Sequence, residues 1–91
     1  MIEIYGIVSE TSRCPACDVI TKRLDEDDID YTIKTVLRDA ETELGFEYDR
    51  AVINELRDRI NQPKGALSLP KVFVNGAFIG GAQALLDYLD N

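Results

Sequence analysis

The chain has 91 residues, of which 45% are hydrophobic and 30% charged, and its formal net charge is -7 with no histidine. This is the composition of a soluble globular protein, and the length suits one small domain, residues 1–91, with a single core. No apolar run approaches the roughly 20 residues that span a bilayer. Because the negative charge repels nucleic-acid backbones and anionic membrane surfaces, we expect no binding to nucleic acid or membrane.

The first third of the chain predicts a strand, a helix and a second strand. Residues 2–8, IEIYGIV, turn from alternating to continuously apolar, which is typical of a strand that becomes buried on both faces. A helix is predicted from Pro15 to near Asp27, and residues 30–36 alternate again as a β-branched strand. The predicted helix has one apolar face, formed by Cys17, Ile20 and Leu24.

The amino terminus bears on location. MIEIYGIV contains an acidic residue, no basic cluster and no small-residue cleavage site, so it is interpreted as a strand rather than as a secretion signal. Two cysteines are also too few for the disulfide framework of a small secreted domain. We therefore expect a cytoplasmic protein.

The middle of the chain predicts a loop and a second helix. Residues 38–48 show no sustained period and contain Gly45, so they are interpreted as a loop with at most one turn of helix. Asp49 is expected to cap a helix from Arg50 to Asn61. The apolar stripe of that helix consists of Val52, Ile53, Leu56 and Ile60.

The last third of the chain predicts a hairpin and a closing helix. Asn75-Gly76 lies between KVFV and AFIG, and this dipeptide favours a two-residue turn with positive φ at both positions. A helix is predicted after Gly80-Gly81, with an apolar face of Ala82, Leu85, Leu86 and Leu89. The predicted order is β-α-β-α-β-β-α, without an internal repeat.

The two cysteines stand three residues apart where a loop meets the first helix. Cys14 is expected at the helix N-cap and Pro15 at the first helical position, where proline is tolerated. Free backbone N–H groups and the helix macrodipole favour a thiolate there, so Cys14 is the predicted nucleophile. Arg13 adds a positive charge if its side chain turns toward the sulfur; otherwise it is a solvated loop arginine. Cys17, on the apolar face, is the predicted resolving thiol.

Two other interpretations of the cysteine pair are weaker. A structural zinc site needs about four ligands, and the chain has neither a histidine nor a third cysteine, so no metal is expected within a monomer. Two small buried side chains that merely fill the core are the other interpretation. The sequence C-P-A-C at a strand-loop-helix junction argues against such a coincidence.

Four features in this order resemble the glutaredoxins, in particular the small glutaredoxins of T-even-like bacteriophages. They are Cys14-Pro15-Ala16-Cys17, Ser68-Leu69-Pro70, Asn75-Gly76 and Gly80-Gly81. The resemblance runs through nearly the whole chain and implies a thioredoxin-like α/β fold, in which helices flank a four-stranded mixed sheet. It also implies a dithiol mechanism with glutathione as the reductant.

The resemblance further implies a glutathione site. Leu69-Pro70 should be a cis peptide beside the cysteines, and the backbone of Leu69 should pair with the cysteine moiety of glutathione. Backbone N–H groups of Gly81 and Ala82 should bind the γ-glutamyl carboxylate, as a helix N-terminus favours an anion. The chain departs from the family at Gln83, where an aspartate usually pairs with the glutathione α-ammonium.

Arg13 would have a second role in this comparison, because phage members carry a basic residue there that meets a glutathione carboxylate. The family also often has a tyrosine in place of Ala16. The chain therefore departs from the common family pattern at Ala16 and in the position of its basic residue, Arg13, and glutathione binding is still expected. Supporting roles at the redox site are assigned to Arg13, Pro15 and Pro70.

The predicted function is therefore a glutathione-dependent thiol-disulfide oxidoreductase that acts as a monomer on disulfide-containing client proteins. For phage relatives the implied client is ribonucleotide reductase. One alternative is a thioredoxin-like carrier reduced by thioredoxin reductase, which the glutamine at Gln83 favours. Another is a non-catalytic iron-sulfur or glutathione-binding module. Pro15 argues against this module, because the family's cluster binders usually lack that proline.

Overall fold

The structure is a computed structural model that describes residues 1–9 and 14–91. Strands and helices alternate along most of these residues, and two short additional strands precede the second helix. In chain order the elements are β1 (Ile2–Gly6), α1 (Pro15–Glu26), β2 (Tyr31–Thr35), β3 (Leu37–Asp39), β4 (Phe46–Tyr48), α2 (Arg50–Ile60), β5 (Lys71–Val74), β6 (Ala77–Gly80) and α3 (Ala82–Asp90).

Four strands form a mixed sheet in the order β2-β1-β5-β6. Strand β1 runs parallel to β2 and antiparallel to β5, so Ile4 lies between Ile33 and Val72. Strands β5 and β6 form the predicted hairpin, and Asn75 and Gly76 have φ angles of 52° and 85° in its turn. The predicted thioredoxin-like α/β fold is confirmed.

The two faces of the sheet are covered by different helices. Ile4 points to a buried cluster that includes Ile20 of α1 and Leu85 of α3. Tyr5, the next residue of β1, points to the opposite cluster, which contains Leu56 of α2. Because successive strand residues face opposite sides, β1 is buried on both faces, as its apolar run predicts. None of the helices in the described ranges is long and apolar enough to cross a membrane.

The prediction of a loop over residues 38–48 is wrong. Strands β3 and β4 form a separate antiparallel hairpin in which Leu37 lies opposite Tyr48, and Arg38 Nε lies 2.7 Å from Glu47 Oε1. The order is therefore β-α-β-β-β-α-β-β-α. Strands of three residues are too short to display an alternating pattern, so the sequence gives no periodic signal for them.

Other element boundaries differ from the predictions by one or two residues. Strand β1 ends at Gly6 rather than at Val8, and α2 ends at Ile60, with Asn61 as a left-handed C-cap. The predicted cap of α2 is confirmed, because the Asp49 side chain accepts a hydrogen bond from the Val52 N–H at 3.2 Å. These differences leave the cysteine pair at the carboxyl end of β1.

Candidate active site

Cys14 occupies the N-cap of α1, as predicted, and Pro15 is the first helical residue. The Cys14 sulfur accepts a hydrogen bond from the Cys17 N–H at 3.2 Å, and the Cys14 carbonyl accepts one from the Asp18 N–H at 3.0 Å. The sulfur therefore lies at the positive end of the helix with a backbone donor aimed at it. Both features stabilise negative charge on Cys14 when the disulfide opens.

Cys14 and Cys17 form a disulfide with an S–S distance of 2.09 Å and a Cα–Cα distance of 5.2 Å. Their exposure differs: Cys14 is 9% exposed and Cys17 is 1% exposed. An incoming thiolate or disulfide therefore has more access to Cys14. The predicted roles, Cys14 as the attacking sulfur and Cys17 as the resolving sulfur, stay predictions.

Gly6, the last residue of β1, lies directly behind the inner sulfur. A Cβ at Gly6 would stand 2.8 Å from Cys17 Sγ, closer than side-chain carbon atoms approach. The strand can thus pass the disulfide only because this residue has no side chain. Sequence reasoning missed Gly6, since nothing local in IEIYGIV shows which side chain the glycine faces.

A cleft of about 340 Å³ opens beside the disulfide, between the end of β1, helix α1 and strand β2. Besides both cysteines its walls include Ile7, Asp18 and Tyr31. Pro70 and Gly81 are not among the residues that line it. This cleft is therefore a different surface from the predicted glutathione site.

The structure brings together the predicted glutathione contacts that precede β5 and those at the start of α3. The Leu69-Pro70 peptide is cis, as the resemblance implies. A Cβ on Gly81 would lie 3.3 Å from the Pro70 carbonyl oxygen, so the start of α3 packs against the proline segment. Pro70 is buried, whereas Leu69 is half-buried.

The first turn of α3 has no side-chain cap. Gly81 is the N-cap, and its carbonyl accepts the Leu85 N–H at 3.2 Å. The leading N–H groups of the helix, such as that of Ala82, are thus available to another acceptor. Gln83 is exposed, and its Nε2 donates to Asp87 Oδ1 at 2.9 Å. The predicted role of Arg13 falls on residues 10–13, which lie outside the described residues.

A metal site needs several ligating side chains close together. Within residues 1–9 and 14–91, no group of three or more histidine, cysteine, aspartate or glutamate side chains is arranged to hold a metal ion. The two cysteine sulfurs are the donors that a soft metal would prefer, and they are bonded to each other. The arrangement is instead suited to two-electron exchange between a dithiol and a disulfide.

Comparison with known proteins gives one relative in sequence and several in structure. No protein-family model matches the chain. The chain is 39% identical over 75 residues to a phage T4 protein described as an uncharacterized 11.8 kDa protein in the Gp55-nrdG intergenic region. The matched part is 81% of this chain and 70% of the T4 protein.

Two solved structures are similar over 98% of this chain. The first is glutaredoxin 1 from Francisella tularensis complexed with cacodylate, with a TM-score of 0.61, 21% identity and 91% of that chain covered. The second is reduced glutaredoxin C1 from Populus tremula x tremuloides, with a TM-score of 0.63, 16% identity and 63% of that chain covered. The fold is that of the glutaredoxins.

Proposed function

This chain belongs to the family of the phage T4 protein from the Gp55-nrdG region and has the glutaredoxin fold, and from this premise we propose that it is a glutathione-dependent thiol-disulfide oxidoreductase. The observation that carries the proposal is the Cys14–Cys17 disulfide at the N-terminus of α1. A disulfide at this position of this fold supports thiol-disulfide exchange. Glutathione dependence and the client are the finer parts of the proposal.

In the proposed mechanism the reduced protein starts with a Cys14 thiolate. The thiolate attacks one sulfur of a client disulfide, so that a mixed disulfide forms and one client thiolate leaves. Cys17 then loses its proton and attacks the Cys14 sulfur, which releases the second client thiol and closes the Cys14–Cys17 bond. Two electrons pass from the protein to the client, and the Cys17 N–H stabilises charge on Cys14.

Two glutathione molecules restore the dithiol in the proposed cycle. The first glutathione thiolate attacks Cys14 and forms a mixed disulfide, while Cys17 leaves as a thiol; the second glutathione attacks that mixed disulfide and yields glutathione disulfide. The uncapped N-terminus of α3 at Gly81 and Ala82 supports binding of the γ-glutamyl carboxylate. The backbone of Leu69 is proposed to pair with the glutathione cysteine.

The proposed client is a disulfide-containing protein, and ribonucleotide reductase is the candidate that the phage resemblance implies. The position of the T4 relative beside nrdG supports this candidate. A monomer in the cytoplasm suits the proposal, because a reducing compartment supplies glutathione. The client, the monomeric state and the cytoplasmic location are predictions that follow from the proposed activity.

A second candidate function is a thioredoxin-like carrier that thioredoxin reductase reduces directly. The observation that favours it is Gln83, which offers no charge to the glutathione α-ammonium. The Gln83 amide already donates to Asp87. The third possibility, an iron-sulfur or glutathione-binding module, is disfavoured by Pro15 at the first position of α1.

Two parallel coupled assays test the proposal through NADPH consumption with a small disulfide substrate. One contains glutathione and glutathione reductase, and the other contains thioredoxin reductase alone. Turnover in the first assay is the expected result, and turnover only in the second would assign the carrier function instead. Cys14→Ser is the matched control, and activity that survives in it would contradict the mechanism in both cases. A brown protein after anaerobic purification would indicate an iron-sulfur module.

A further inference from the structure

A second groove, of about 470 Å³, lies on the α2 side of the sheet and is here named the hairpin groove. It runs between the β3–β4 hairpin, the first turns of α2 and the segment that precedes Pro70. Its walls include Leu37, Tyr48, Arg50, Ile53, Leu67 and Leu69. The groove therefore combines apolar side chains from several elements with a cation at its side.

One residue joins the hairpin groove to the redox site. Ile7, which follows β1, lines both the cleft beside the disulfide and the hairpin groove. Leu69, in the wall of the groove, immediately precedes the cis proline. A client chain whose disulfide meets Cys14 can thus pass Ile7 into this groove.

The segment between α2 and β5 presents unpaired backbone to the groove. In the described part of the chain, the backbone groups of Leu67 and Leu69 make no hydrogen bond within the protein. Leu67 and Leu69 are two residues apart, which is the spacing at which an extended strand repeats its pairing. Glutathione is a tripeptide, and its proposed pairing ends at Leu69. A longer client segment can continue and pair with the backbone of Leu67 as well.

Arg50 is the feature of the groove that the fold does not explain. It is exposed, it is the first residue of α2, and the macrodipole disfavours a cation at this end of a helix. Within residues 1–9 and 14–91 the Arg50 side chain makes no hydrogen bond or ion pair. Arg57, the other arginine of the groove, instead donates to the carbonyl oxygens of Gln62 and Gly65 and so holds the loop.

From this arrangement, and on the premise of the proposed oxidoreductase function, we infer that the hairpin groove binds the client polypeptide next to its disulfide. An apolar client side chain packs between Leu37 and Ile53, and an aspartate or glutamate side chain of the client pairs with Arg50. The whole chain has a net charge of -7 and repels acidic peptides, so the arginine at the groove supplies a local attraction. The protein thereby selects clients with an acidic, apolar segment beside the cysteine.

Single-turnover reduction of two synthetic peptide disulfides tests this inference. Both peptides carry a cysteine and a neighbouring leucine, and they differ only in having glutamates or lysines on that side. Reduced, desalted protein is mixed with each peptide, and the released peptide thiols are separated by chromatography. Because the protein's own dithiol is the electron source, the result does not depend on which reductase regenerates it.

The acidic peptide should be reduced about fivefold faster than the basic one by the unmodified protein, the size expected of one partly exposed ion pair. Arg50→Glu should abolish or reverse this preference, and Arg50→Gln should reduce it. Lys22→Glu is the matched control: it changes the net charge by the same amount on α1, where Lys22 is exposed and, among the described residues, forms an ion pair with Glu26 alone, and it should keep the preference. Circular dichroism should show that Arg50→Glu stays folded, because an acidic residue suits the start of a helix.

Three results would overturn the inference. They are equal rates for the two peptides, a preference that Arg50→Glu leaves intact, and a loss of preference that Lys22→Glu shares. If the unmodified protein reduces neither peptide nor a small disulfide, the proposed oxidoreductase function fails instead. The two failures are therefore distinguishable in one set of reactions.

Discussion

Gly6 and Cys17 lie so close together that a Cβ on Gly6 would stand 2.8 Å from Cys17 Sγ. In the oxidised protein the disulfide bond to Cys14 fixes that sulfur, so it has no rotamer in which to avoid an added methyl group. In the reduced protein no covalent bond holds the Cys17 sulfur in that position. The two redox states should therefore tolerate a side chain at this position to different degrees.

We expect Gly6→Ala to lower the free energy of unfolding of the oxidised protein by about 1–3 kcal/mol, the usual range for an overpacked core, and that of the reduced protein by less. The disulfide should consequently become easier to reduce. Urea unfolding with and without a reductant measures both stabilities, and equilibration with a glutathione redox buffer measures the change in potential. A loss of stability that is equal in the two states would show that the contact does not depend on the disulfide.

Gly76→Ala is the matched control for this experiment. Gly76 has a φ of 85°, which a residue with a side chain adopts at a cost, but a Cβ there would meet nothing within 4 Å. The variant should lower the stability of the oxidised and reduced proteins by the same amount. Its reduction potential should be that of the unmodified protein.

The two cysteines should respond differently to replacement by serine. Cys14→Ser removes the attacking sulfur, so reduction of every disulfide should fall by on the order of a thousandfold or more. Cys17→Ser should lose the reduction of protein disulfides but retain part of the reduction of glutathione mixed disulfides, which needs only Cys14. The coupled assay with each substrate measures both effects. Equal residual activity of the two variants would contradict their assigned roles.

The elements with strong local signals were predictable from the sequence. The N-cap at Cys14 followed from the position of Pro15, and the turn at Asn75-Gly76 followed from the backbone angles that only such a dipeptide readily adopts. The cis peptide at Leu69-Pro70 came from the family resemblance, since most prolines are trans. The first two predictions succeed because Pro15, Asn75 and Gly76 favour particular backbone angles at their own positions.

The features that the sequence did not reveal leave no pattern in the local sequence. The β3–β4 hairpin is held by cross-strand pairing over three residues and by a turn in which the Gly45 N–H donates to the Thr42 carbonyl at 3.0 Å. So short a segment leaves no period to detect. The closeness of Gly6 to Cys17 likewise arises only when β1 packs against α1, because the residues are not neighbours in a local motif.

Gln83 provides a test of how the protein recognises its reductant. We expect Gln83→Asp to raise turnover with glutathione by about fivefold, because an aspartate forms an ion pair with the α-ammonium that the neutral amide cannot form. The variant loses the hydrogen bond to Asp87 and places two carboxylates one helical turn apart. Gln83→Asp combined with Asp87→Asn removes that repulsion and should show at least the same gain. No change in either variant would count against a contact between position 83 and the glutathione α-ammonium.

A pair of contacts outside the redox site predicts how stability depends on pH. Arg59 binds Glu3 through both terminal nitrogens, at 2.9 and 3.1 Å, and its guanidinium lies 3.8 Å from the ring centre of Phe73. The hydrogen bond from Arg59 lowers the pKa of Glu3 below the ordinary value of a glutamate. The pKa of Glu55 is also lowered, chiefly by its hydrogen bonds with Lys34 and Tyr5.

Because the pKa of Glu3 is lower in the folded than in the unfolded protein, its contribution to stability is complete above the unfolded pKa and is lost as the pH falls through the folded pKa. The free energy of unfolding should therefore decrease as the pH is lowered below 4.5, the ordinary pKa of a glutamate, and Glu3→Gln should show a smaller decrease. Glu55 keeps its own contribution in this variant, so the decrease should not vanish. Urea unfolding of the oxidised protein at several pH values measures it. Glu41→Gln removes an exposed carboxylate without a described partner and should leave the pH dependence of stability as it is. Equal effects of Glu3→Gln and Glu41→Gln would attribute the loss of stability to net charge rather than to the Arg59 contact.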